Sequence, residues 1–162
     1  MNKFEKVSIS EYAKSNIINS QEDIKYQYDS IKLPKRATKH SAGYDIYSPI
    51  DFELDINESI TFPLGIKCQL DEDKFLMIVP RSGLGFNYNL TLSNTCGIID
   101  ADYYNNPNNE GHIHIKLING NFKSLKVKAG DAIAQGIILP YYKTIDDESI
   151  EERFGGLGST SC

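Results

Sequence analysis

The sequence predicts an all-β fold, a sandwich or barrel, carrying a short N-terminal helical appendage and a flexible C-terminal arm. Three observations carry this expectation. Apolar residues after position 25 recur with period two or in short runs. Each run is bounded by Gly, Pro, Asn or Asp, the residues that turn a chain. The runs also follow one another too closely to leave space for crossover helices, which argues against alternating βαβ units.

The elements follow in order. Ser10 is placed to cap a short helix through Glu11, Tyr12 and Ala13 towards Ile17 and Ile18. Strands are expected at Lys25–Leu33, Tyr44–Tyr47, Ser59–Phe62, Gly65–Cys68, Phe75–Val79, Cys96–Ile99, His112–Ile118, Leu125–Val127 and Ile133–Leu139. Asn105 to Glu110 (NNPNNE) reads as a loop, and Gly130-Asp131 as a hairpin turn. After the acidic run Asp146-Asp147-Glu148 the chain turns rich in Gly and Ser. The expected division is an appendage over 1–24, a β-barrel over 25–145 and an arm over 146–162.

Composition narrows the function. The 162 residues suffice for one domain with its own core. A formal net charge of -5 argues against general attraction to nucleic acid or anionic membrane. No stretch approaches the roughly 20 apolar residues that span a bilayer, and Met1 to Lys14 lacks the apolar core of a secretory signal. Cys68, Cys96 and Cys162 form neither a disulfide framework nor a zinc motif. A reducing cytoplasm suits them.

Several short motifs could carry chemistry. Pro80-Arg81-Ser82-Gly83-Leu84-Gly85 follows an apolar strand and offers a planar cation, a hydroxyl and amides that can approach an anion closely. Taken alone, it reads more readily as a turn with a surface arginine. Only three of the 17 basic residues are arginines, Arg36, Arg81 and Arg153. That rarity favours a bidentate phosphate contact. Asp100 and Asp102 stand two residues apart, so on a strand they would share a face, one as general base and the other orienting it or binding a cation. A solvated acidic turn is the plain alternative. Asp45 reads alone as a turn-capping residue. His112 and His114 alternate on an expected strand, but no third ligand is near, so a solvent-facing strand is the better reading. Gln135 is a polar residue inside an apolar strand and needs partners if buried.

Their order is more telling than any one of them. AGYDIYS (42–48), PRSGLG (80–85), SNTCGIIDADY (93–103), AGDAIAQ (129–135) and RFGGLGST (153–160) resemble the five motifs of trimeric dUTPases, over about Ile31 to Thr160. The resemblance implies a jelly-roll-like barrel forming a homotrimer with active sites at subunit interfaces. It implies dUTP as substrate, hydrolysed to dUMP and pyrophosphate, and Mg²⁺ as cofactor, held through water by Asp45. Arg81, Ser82 and Gly83 would contact phosphate from a neighbouring subunit, and Gln135 would help. Asn94 and the backbone of Cys96, Gly97, Ile98 and Ile99 would read uracil. Tyr103 would pack on the deoxyribose and leave no space for a 2′-hydroxyl. Asp100 would activate the attacking water. The arm would close last, with Arg153 on the γ-phosphate, Leu157 over the base, and Gly158, Ser159 and Thr160 along the phosphates.

The chain departs from the family pattern in places. Ala132 stands where an arginine is usual, and Leu157 where an aromatic is usual. Thr160-Ser161 ends the last motif where glycine is expected, and Tyr104 with NNPNNE separates Tyr103 from Gly111. A dCTP deaminase shares the barrel, but it needs a glutamate where Lys116 stands here. The other alternative is a nucleotide-sensing regulator without turnover.

Overall fold

A computed structural model describes residues 1–15, 20–120 and 123–150. In chain order the elements are β1 (Lys3–Lys6), α1 (Ile9–Ser15), α2 (Gln21–Ser30), β2 (Lys35–Arg36), β3 (Tyr44–Tyr47), β4 (Phe52–Leu54), β5 (Ser59–Pro63), β6 (Ile66–Gln69), β7 (Lys74–Pro80), α3 (Ser82–Tyr88), β8 (Leu90–Leu92), β9 (Gly97–Asp100), β10 (His114–Asn119), β11 (Leu125–Val127) and β12 (Ala132–Pro140). A 3₁₀ turn at Ala101–Tyr103 follows β9.

Every strand pairing described is antiparallel. One sheet runs β2-β3-β12-β7-β9, a second β5-β10-β8, and the pairs β1-β6 and β11-β4 complete a jelly-roll-like sandwich. The core draws on both larger sheets. Ile46, Leu76, Ile78, Ile133 and Ala134 come from the five-stranded sheet, and Phe62, Leu90, Leu92, Ile115 and Leu117 from the three-stranded one. Each fully buried side chain of this kind contributes about 1.5–3 kcal/mol of transfer free energy.

The N-terminus departs from expectation in three ways. Lys25–Leu33 is not a strand, because residues 21–30 form α2. Ser20 caps that helix by accepting from Asp23 N at 3.1 Å, and Glu22 and Asp23 favour its first turn through the helix dipole. Ile24, Tyr28 and Ile31, spaced four and three apart, form its core-facing stripe. The cap of α1 is Ser8 rather than Ser10, since Ser8 Oγ accepts from Glu11 N at 3.1 Å. Finally, β1 precedes both helices and pairs with β6, Lys3 opposite Gln69. Ile17 and Ile18 lie outside the described residues.

Two turns also differ. Arg81 opens α3 rather than a simple turn. Gly130-Asp131 does turn the chain, with Asp131 N donating to Lys128 O at 2.9 Å. It joins β11 and β12, which belong to different sheets, so it is no hairpin.

Candidate active site

A cleft of about 470 Å³ opens between β9 and β10. Its apolar floor includes Ile78, Leu92, Ile113 and Ile115, and its polar rim Thr61, Ser93, Asn94, Asp100, His114 and Lys116. Asn94, Gly97, Ile98, Ile99, Asp100 and Tyr103, six residues expected from sequence, all line it.

The shape follows from topology. Among the described residues, β9 is the edge of the five-stranded sheet and pairs with β7 alone, Phe75 opposite Asp100 and Ile78 opposite Gly97. An edge strand can turn one row of main-chain N–H and C=O groups towards a ligand. Here that edge borders a cleft with an apolar floor, which suits a flat heterocycle carrying its own amide donors and acceptors. The turn entering β9 is tight: Cys96 N donates to Asn94 O at 2.7 Å, and Thr95 takes φ 68°. For a β-branched residue that left-handed backbone is strained, and such strain gathers at functional turns.

Asp100 closes β9, so its carboxylate stands on backbone already zipped to β7. Asp102 lies in the 3₁₀ turn beyond the strand, where alternation no longer holds. The expected shared face is therefore not formed; Asp102 is exposed, while Asp100 lines the cleft. Tyr103 is buried and lines the cleft.

The other expected residues gather elsewhere on the chain. Arg81 Nε meets Asp45 Oδ1 at 3.0 Å, with both side chains partly exposed, and Arg81 Nη1 donates to Ala132 O at 3.3 Å. Gln135 stands opposite both Asp45 and Val79 in the sheet, and its Nε2 donates to Pro80 O at 3.3 Å. Gly43 makes this possible, because a Cβ there would fall 2.4 Å from Gln135 Oε1. Arg81, Ser82 and Gly83 line a second depression of about 350 Å³, with Lys126 and Asp131 beside them. Within one chain the expected residues thus form two groups: a cleft around Asp100 and a cation-bearing turn around Arg81. Arg153, Leu157, Gly158, Ser159 and Thr160 lie outside the described residues.

His112 is not on a solvent-facing strand. It is fully buried just before β10, under Tyr12 and Glu11 of α1. Its Nε2 accepts from Gly65 N at 2.9 Å, which leaves the neutral ring's proton on Nδ1, towards Ser15 Oγ at 3.3 Å and Glu11 Oε1 at 3.6 Å. Burial, helped by His114, pushes its pKa down to about 3. The pattern of alternating histidines carried no sign of this, because the cover comes from a helix about a hundred residues away in sequence.

Among the described residues, no cluster of three or more His, Cys, Asp or Glu could hold a metal. No helix among them is long and apolar enough to cross a membrane.

Known proteins resemble this chain over most of its length. A family model described as dUTPase matches residues 29–162. A deoxyuridine 5′-triphosphate nucleotidohydrolase of Lactococcus lactis is 38% identical over 140 residues, 85% of this chain and 93% of that protein. Its counterpart in Dictyoglomus turgidum is 39% identical over 139 residues, 80% of this chain and 90% of that one. The crystal structure of dUTPase from Streptococcus mutans superposes with a TM-score of 0.68 at 30% identity, over 88% of this chain and 98% of that one.

Proposed function

The chain belongs to the dUTPase family, and we propose that it hydrolyses dUTP to dUMP and pyrophosphate with Asp100 as general base. The observation that carries this reading is the position of Asp100. It ends a rigid edge strand inside the same cleft as Asn94, Gly97, Ile98, Ile99 and Tyr103. The strand edge and Asn94 would hold uracil, and Tyr103 would back the deoxyribose. Asp100 takes a proton from water as its oxygen bonds to the α-phosphorus, and the bond to the bridging oxygen of pyrophosphate breaks.

Arg81, Ser82, Gly83 and Gln135 would hold the phosphates, but in one chain they sit away from the cleft. A homotrimer that lays one subunit's Arg81 turn over its neighbour's cleft would complete the site, and we propose that assembly. Arg153, Leu157, Gly158, Ser159 and Thr160 are proposed from sequence to close it.

The donor set fits Mg²⁺ of one particular kind. Magnesium keeps most of its waters and is commonly held by one or two carboxylates plus substrate phosphates. Asp45, partly exposed beside the phosphate-binding arginine, provides one such carboxylate. When bound, the ion would offset triphosphate charge. A cytoplasmic setting belongs to the same proposal and rests on the three cysteines that form no pairing motif.

The test is pyrophosphate release from dUTP, UTP, dTTP and dCTP, with and without Mg²⁺. Strong preference for dUTP with Mg²⁺ is expected. Comparable turnover of UTP, or none of dUTP, would refute the reading.

A further inference from the structure

The loop Asn105–Glu110 lies outside the cleft lining, yet it holds Tyr103 at both ends. Asn106 Nδ2 donates to the main-chain oxygen of Tyr103 at 2.9 Å. At the far end of the side chain, Asn109 Nδ2 donates to the Tyr103 hydroxyl at 2.8 Å, and that hydroxyl donates onward to His112 O at 3.0 Å. The two asparagines are joined, Asn106 Nδ2 to Asn109 Oδ1 at 2.7 Å. Gly111 N also donates to Asn109 Oδ1, at 3.1 Å. These two donors fix the amide's orientation, so its N–H side must face the tyrosine.

The loop is itself anchored. Glu110 accepts from Ser8 N at 2.9 Å and from Ser8 Oγ at 2.5 Å, and pairs with Lys67 at 3.4 Å. Gly111 turns the chain back at φ 80°, where a Cβ would fall 2.5 Å from Tyr103 O. A ring gripped at its backbone and at its hydroxyl cannot swing or slide along the cleft wall without breaking a buried hydrogen bond, and such bonds are costly to leave unmade.

We propose that Asn109, supported by Asn106, is a positioning residue that sets sugar specificity by holding the Tyr103 ring against the cleft. This rests on the proposed reading of the cleft as a dUTP site with Tyr103 behind the sugar. A fixed ring cannot yield to an additional 2′-hydroxyl, whereas a loosened one can. Asn109 touches no substrate; it acts through Tyr103.

The test is a double-mutant cycle read in the dUTP:UTP ratio of kcat/KM, using Asn109→Ala, Tyr103→Phe and the double variant, with melting temperatures as a check on folding. Losing one hydrogen bond to the ring should lower that ratio roughly 3- to 10-fold in Asn109→Ala, mostly through faster UTP turnover. On the Tyr103→Phe background the same change should alter the ratio no further, because the atom through which Asn109 acts is gone. A ratio unchanged in Asn109→Ala, or lowered equally on both backgrounds, overturns the proposal, since a loop-folding role would act on both. If Asn109→Ala does not fold, Tyr103→Phe alone must lower the ratio, and an unchanged ratio there overturns it. Wild-type enzyme that fails to discriminate against UTP sinks the dUTP reading as well, an outcome visible before any variant is made.

Discussion

Arg81 Nε lies 3.0 Å from Asp45 Oδ1, joining two residues that stand 36 positions apart in the chain. β12 brings them together: Gln135 stands opposite Asp45 on one side and Val79, two residues before Arg81, on the other. The arginine proposed for phosphate and the carboxylate proposed for magnesium therefore hold each other in place. Their partial exposure means the pair stabilises the fold by only about 0–1 kcal/mol. Its purpose is better understood as placement.

The first prediction separates those roles. Asp45→Asn should leave the melting temperature within about 2–4 °C of wild type. It should raise the Mg²⁺ concentration giving half-maximal rate, because a neutral amide attracts hydrated Mg²⁺ far less than a carboxylate does. A large fall in melting temperature with unaltered Mg²⁺ dependence would make Asp45 structural.

The second prediction concerns the division of the site between subunits. Asp100→Asn and Arg81→Ala should each be nearly inactive alone. Refolded together in equal amounts, they should regain about a quarter of wild-type activity, since random assortment gives each shared site an intact Asp100 half the time and an intact Arg81 half the time. If both residues of a site came from one chain, mixing would restore nothing. Absence of recovery in verified mixed trimers would place the site within a single subunit.

A third prediction follows from His112. Its folded pKa of about 3 lies below the usual value of 6.5, so the ring is neutral when folded and takes a proton near pH 6.5 when unfolded. Protonation would also break the bond that Nε2 accepts from Gly65 N–H. The unfolded state thus binds the extra proton between about pH 6.5 and 3. Stability from this residue is complete above that window and declines as pH falls, by up to about 1.4 kcal/mol per unit. His112→Gln keeps an acceptor but does not titrate. Between pH 6.5 and 5.0 its urea-unfolding free energy, at fixed protein concentration, should fall by about 1.6 kcal/mol per chain less than that of wild type. Parallel losses would mean the folded ring is protonated like the unfolded one.

The strands that were legible in the sequence share a physical cause. Leu125–Val127 and Ile133–Leu139 alternate or run apolar between clear turn residues, and both are strands in the structure. Phe52–Leu54 and Leu90–Leu92 are strands outside the expected set, although they alternate between turn residues as Leu125–Val127 does. α2 is hidden in the sequence because Tyr26 and Tyr28 mimic a period of two, while the Ser20–Asp23 cap lies just ahead of the expected strand. The cleft residues stand out through motif order rather than local pattern. His114 and Thr61 line the cleft only because β10 and β5 lie side by side in one sheet, a juxtaposition of distant segments. Asn106 and Asn109 look like any polar loop until the chain folds back on Tyr103.

The last prediction tests the base. Asp100 ends β9 directly opposite Phe75 of β7, and its neighbours Ile98 and Ile99 share the cleft wall. A carboxylate on backbone so fixed can hold a water in line without reorganising. Asp100→Asn preserves size and much of the hydrogen bonding but cannot accept the proton. General-base catalysis contributes about 10²–10⁴-fold, so kcat for dUTP should fall by that order. Affinity for a non-hydrolysable dUTP analogue should change far less, because other groups are proposed to hold base, sugar and phosphates. The paired measurement of kcat and analogue Kd distinguishes a lost base from a damaged pocket. If the variant hydrolyses dUTP within a few fold of wild type, Asp100 is not the base, and Asp102, two residues along the same turn, is the next to replace.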